Sequence, residues 1–113
     1  MSERDNKLLI EDILDALNRI EIYTEGYTFE NYIDDSKTKD AVERNFEIIG
    51  EAASRISDDF KVLNLEIEWR ILKDFRNFII HEYFGINNQI VWDTLVFRLP
   101  DLKKKLLLLK END

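Results

Sequence analysis

The sequence predicts an all-α fold, an antiparallel bundle of four or five helices. Apolar residues recur at three- and four-residue intervals along most of the chain, and only three Gly and one Pro punctuate its 113 residues. An all-β fold needs a turn signal about every 8–12 residues, which this chain lacks. With 44% hydrophobic residues and no internal repeat, a single domain spanning residues 1–113 around one core is expected.

Leu9, Ile13, Leu17 and Ile20 share one face of a first helix expected from about Arg4 to Glu25, and Gly26 follows as its stop. In the connector "YTFENYIDDS", Phe29, Tyr32 and Ile33 suit a short turn packed on the core, with Ser36 or Thr38 as cap of the next helix. A second helix, roughly Lys37 to Ile56, carries Val42, Phe46, Ile49, Ala53 and Ile56 as a coiled-coil-like seam. Gly50 costs about 1 kcal/mol relative to Ala in a helix interior, so close backbone approach beside Ala52 and Ala53 is the expected reason for it.

"SDDFKVLNLEIE" reads as a loop that opens on polar residues. From about Glu66 a third helix follows that is apolar nearly all round, with Trp69, Leu72 and Ile79 on one side and Ile71 and Phe78 on the other. Asn87 or Asn88 caps a fourth helix through Ile90, Val91 and Leu95. Pro100 then kinks it or opens a last helix bearing Leu102, Leu106 and Leu109.

No cysteine is present, which excludes disulfides and thiolate metal sites. The start "MSERDNK" lacks the pattern of a secretory signal, and the longest apolar run, "LLLL", is far short of the ~20 residues of a membrane span; a cytoplasmic protein is expected. A net charge of −8 argues against broad binding of nucleic acid, so any such role must be local.

One stretch does not fit a plain core helix. "FRNFIIHEYFG" holds the only histidine, His81, with Arg76 five positions before it and Tyr83 two after it. On a straight helix Tyr83 falls within about 20° of Arg76, but His81 falls about 140° away. Arg76 and His81 therefore share a target only if the last turn unwinds between Ile80 and Gly85, or if a second copy of the chain completes the site. Arg76 on an apolar side must meet an anion, either a nearby Glu or a phosphate suited to its planar fork, or stay at a rim. His81 reads either as a hydrogen-bonded core residue or as a general base. Asn77, four positions earlier and about 40° away, is placed to orient it. Tyr83 is either an amphipathic core-edge residue or a phosphate contact or modification site.

Glu43, Glu47 and Glu51 form a ladder at four-residue spacing. A solvated face is the expected reading rather than a metal site, with Arg55 as a partner for Glu51. "DLKKKLLLLK" reads as an amphipathic helix end whose cations suit its dipole.

"RNFIIHEY" resembles the arginine, polar residue, three variable residues, histidine, variable residue, tyrosine motif of HEPN-domain proteins, specifically HepT-like toxins. "AVERNFEIIGEAASRIS" and "HEYFGINNQIVWDTLVFRLPDLKKKL" are similar to that family's second helix and to its segment after the motif, so the likeness covers most of the chain. The resemblance implies a dimerising helical bundle with two motif copies in a shared cleft and cofactor-free, metal-independent RNA cleavage. It also implies a nucleotidyltransferase antitoxin that transfers AMP to the tyrosine, here Tyr83. Carried onto this sequence, His81 moves the proton, Arg76 stabilises phosphate charge and Asn77 orients His81. With so acidic a chain, RNA affinity is expected to depend on a few cations near the cleft, Arg76 and Arg44 among them. The competing reading is a non-catalytic subunit that binds a nucleotide or the nucleotidyltransferase, which would tolerate His81→Gln.

Overall fold

A computed structural model describes the backbone of residues 3–81 and 88–111 and the side chains of residues 5–75 and 88–111. All regular structure among these residues is helical: α1 (Glu3–Thr24), α2 (Phe29–Asp34), α3 (Ser36–Arg55), α4 (Asp58–Leu63), α5 (Trp69–His81), α6 (Asn88–Phe97) and α7 (Leu99–Glu111). Five of these have ten residues or more, and α2 and α4 have six each.

The periodic apolar residues build the core as expected. Leu9, Ile13, Leu17 and Ile20 of α1 and Val42, Phe46, Ile49, Ala53 and Ile56 of the α3 seam are all buried. Each fully buried large side chain of this kind contributes roughly 1.5–3 kcal/mol of transfer free energy. α3 is the central element, packed against both α1 and α5, while α7 covers α1 and α6. Gly50, Ala52 and Ala53 are buried in this central helix, where small side chains suit neighbours on two sides.

Helix directions follow from cross-links between named residues. Asn6 bonds Ser57, and Arg19 bonds Asn45, so α1 and α3 run antiparallel. Trp69 meets Phe60 just beyond the end of α3, and Phe75 meets Phe46 further back along it, so α5 is antiparallel to α3 as well. α1 and α5 therefore run in the same direction, and their C-terminal ends lie at the same end of the bundle as the start of α3.

Local chemistry explains the boundaries. Gly26 stops α1 at a φ of +77°, a left-handed conformation that glycine adopts without a Cβ penalty. The cap of α3 is Asp35, not Ser36 or Thr38: its carboxylate accepts from the Thr38 backbone N–H at 3.1 Å and from the Thr38 hydroxyl at 2.7 Å. A charged acceptor at a helix N-terminus also suits the dipole, and Ser36 becomes the first helical residue. Tyr32 of the connector is buried as expected, whereas Ile33 is exposed.

The stretch expected to be a loop after Ile56 contains α4. Ser57 caps it by accepting from the Phe60 N–H, and Asp58 and Asp59 fill its first turn. No α4 residue is buried, so hydrophobic periodicity gives no sign of this helix. α5 begins at Trp69 rather than Glu66, because Asn64 to Glu68 form a turn in which the Asn64 carbonyl accepts from the Ile67 N–H and the Trp69 indole N–H. Pro100 opens α7 in its first turn, where a missing N–H breaks no helical bond. α6 begins at Asn88, and Asn87 lies outside the described residues. No described helix is long and apolar enough to cross a membrane.

Candidate active site

α5 presents the motif from a well-anchored base. Leu72 and Phe75 are fully buried, and the Phe75 ring packs on Phe46 of α3 with centroids 4.9 Å apart. Arg76, Asn77 and His81 follow directly on the same helix, which continues without a break through His81. Their side chains, and Tyr83 as a whole, lie outside the described residues.

The continuity of α5 bears on the geometry of the motif. Between Arg76 and His81 the helix does not unwind, so these positions stay about 140° apart around the axis. Asn77 and His81 stay one turn apart on one face, the relationship an orienting amide needs. Because α5 is antiparallel to α3, the motif runs alongside the first half of α3 and toward the end of the bundle where α1 also finishes.

That half of α3 carries polar groups whose burial the sequence spacing did not indicate. Glu43, the first rung of the carboxylate ladder, is buried at 8% exposure, while Glu47 is half-buried and Glu51 exposed, so the ladder is not one solvated face. The physical reason is that α3 is covered on two sides, which turns position 43 inward. Arg44 is exposed and forms an ion pair of 3.4 Å with Glu47. It lines a shallow groove between α1 and α3 with Leu9, Asp12, Glu47, Glu51 and Arg55, where three carboxylates face two arginines.

Arg19 of α1 is different. Its Nε donates a 2.8 Å hydrogen bond to Asn45 Oδ1, and Asn45, buried at 4% exposure, is itself fixed by donating to the Ala41 carbonyl at 2.8 Å. Arg19 was not apparent from the sequence, since an arginine beside an apolar stripe reads as an ordinary surface residue. The polar Asn45 next to Phe46 in the seam was the available signal.

Comparison with known proteins identifies a family for the chain. The Ribonuclease HepT-like family model matches residues 13–109. This chain belongs to the HepT-like ribonuclease family. A Thermococcus cleftensis protein named a probable ribonuclease HepT is 43% identical over 103 residues, covering 91% of this chain and 94% of its own. A Methanocaldococcus jannaschii protein provisionally named an RNase is 35% identical over 105 residues, covering 92% of this chain and 87% of its own. A third, from Caldanaerobacter subterraneus subsp. tengcongensis and also provisionally named an RNase, is 33% identical over 96 residues, covering 85% and 86%. No solved structure matches the HepT-like chain.

Proposed function

We propose that this HepT-like chain is a metal-independent endoribonuclease that works as a homodimer. In this reading it is the toxin of a cytoplasmic toxin–antitoxin pair and is silenced by a nucleotidyltransferase that adds AMP to Tyr83. The observation that carries the reading is the Arg76–His81 motif on an unbroken helix in a chain of the HepT-like ribonuclease family. The angle of about 140° between the two positions supports a cleft shared by two chains, in which one copy's arginine works beside the other's histidine.

In the reaction, His81 takes the proton from a ribose 2′-hydroxyl, and the freed oxygen attacks the adjacent phosphorus. The bond from phosphorus to the 5′ oxygen breaks, and that oxygen takes a proton from water as it leaves. The products are a 2′,3′-cyclic phosphate and a 5′-hydroxyl end. Arg76 stabilises the charge gathering on the phosphate oxygens, and Asn77 holds the imidazole in the orientation and tautomer that proton transfer needs. The nucleophile belongs to the RNA, so the step requires no protein nucleophile.

Cleavage assays on purified protein, with end-group analysis of the products, test the reading. Arg76→Ala and His81→Ala are each expected to lower kcat by about 100-fold or more, and Asn77→Ala by less. Coexpression with a cognate nucleotidyltransferase is expected to add the mass of AMP to the wild type and not to Tyr83→Phe. Undiminished cleavage by both Ala variants would overturn the assignment.

A further inference from the structure

Arg19 is a half-buried cation of α1 that a buried amide, not a carboxylate, holds in place. Arg44, Arg98, Lys103, Lys105 and Lys110 each pair with a carboxylate. Arg19 is half-buried, and its one described bond goes to the neutral amide of a buried Asn45. Asp15 lies one turn before it on α1 without pairing to it, and the neighbouring Glu21 is engaged by Lys103 at 2.9 Å. A guanidinium has five N–H donors, and orienting it through Nε leaves the Nη groups available for an anion. Held by an amide rather than a carboxylate, this cation forms no direct ion pair among the described residues although the chain carries a net charge of −8.

One turn further along α1, about 40° around the axis, is Tyr23, 38% exposed. A cation and an aromatic side chain one helical turn apart suit single-stranded nucleic acid, with the cation on a phosphate and the ring under a base. Arg19 and Tyr23 occupy the last part of α1, and Arg76 and His81 the last part of α5. Since α1 and α5 run in the same direction, both pairs lie at one end of the bundle.

We infer that Arg19 and Tyr23 form a subsite for single-stranded RNA flanking the cleaved bond, with Arg19 on a backbone phosphate and Tyr23 stacked on a base. The inference rests on the ribonuclease reading and specifies how the substrate strand is held. Arg19 and Tyr23 bind and have no part in proton transfer, so their loss raises KM and leaves kcat nearly unchanged.

The test measures cleavage kinetics on a single-stranded oligoribonucleotide, together with anisotropy binding of its 2′-O-methylated, uncleavable counterpart across a salt series. Arg19→Gln and Tyr23→Ala are each expected to weaken binding and raise KM by about 5-fold or more. Arg19→Gln should also lower the log–log salt slope by about 0.7, while Arg19→Lys and Tyr23→Phe retain most of the affinity. Melting temperatures identify any variant that fails to fold. If Arg19→Gln does, exposed Tyr23 and Arg19→Lys carry the decision through Tyr23→Ala and the retained salt slope. Unchanged KM, binding and salt slope in folded variants of an active enzyme overturn the subsite and leave the ribonuclease reading intact. A wild type that binds the methylated strand through Arg19 yet cleaves no RNA overturns the ribonuclease reading instead.

Discussion

The Tyr27 hydroxyl donates a 2.6 Å hydrogen bond to Asp35 Oδ2, tying the turn after α1 to the cap of α3. Together with the Thr38 hydroxyl and N–H, this bond holds the Asp35 carboxyl down at about 2, below its ordinary 3.8. A carboxyl lowered in the folded state adds stability above its unfolded value, and that stability is lost as pH falls toward the folded value. Asp35→Asn should therefore remove part of the stability lost between about pH 4 and pH 2 and flatten the acid limb of a melting-temperature profile. At neutral pH, Asp35→Ala is expected to lower the melting temperature by roughly 4 °C through loss of the cap.

Gly26 ends α1 at φ +77°, and a Cβ built there meets nothing within 4 Å. Crowding is thus absent, and the cost of a side chain is purely conformational. Gly26→Ala should destabilise by about 1 kcal/mol in urea, and Gly26→Asn by less, because Asn tolerates the left-handed region. Equal losses for both would show that something other than backbone conformation sets the requirement.

The difference between Gly26 and Ser57 shows what the sequence discloses. Gly26 is legible because it closes a long amphipathic helix at a recognised stop. Ser57 also caps a helix, but α4 buries no side chain, so its apolar residues Val62 and Leu63 lie exposed and no periodicity marks it. Long helices with a buried stripe were readable from Leu9 to Leu106. The choice of Asp35 over Ser36 was not, since it depends on Tyr27 arriving from another turn. Arg76, Asn77, His81 and Tyr83 stand out in the sequence through their spacing and family resemblance. The burial of Glu43 and the bond from Arg19 to Asn45 were not legible, because both depend on which helices cover α3, a tertiary fact.

Phe46 is fully buried and faces Phe75, the residue just before Arg76. Phe46→Ala should destabilise the domain by about 3–5 kcal/mol through the lost transfer free energy and the cavity left behind. Phe46→Leu, which keeps most of the volume, should cost much less. Since Phe75 anchors the base of the motif, Phe46→Leu is expected to lower kcat measurably while the protein remains folded. Urea denaturation and cleavage rates measured on the same samples check both effects.

Residues Trp69 to His81 form one continuous helix, so a single chain holds Arg76 and His81 about 140° apart. If an active site takes its arginine from one protomer and its histidine from the other, two inactive variants should rescue each other. In an Arg76→Ala/His81→Ala heterodimer, one site would receive the intact arginine of the His81→Ala chain and the intact histidine of the Arg76→Ala chain. The other site would lack both. With random exchange, half of the dimers are mixed and each carries one working site of two, so activity should return to roughly a quarter of wild type. Mixing after mild denaturation and refolding, with cleavage measured against each variant alone, is the measurement. If each chain supplies both residues of its own site, no mixture regains activity, and the shared cleft is wrong even if the ribonuclease activity is real.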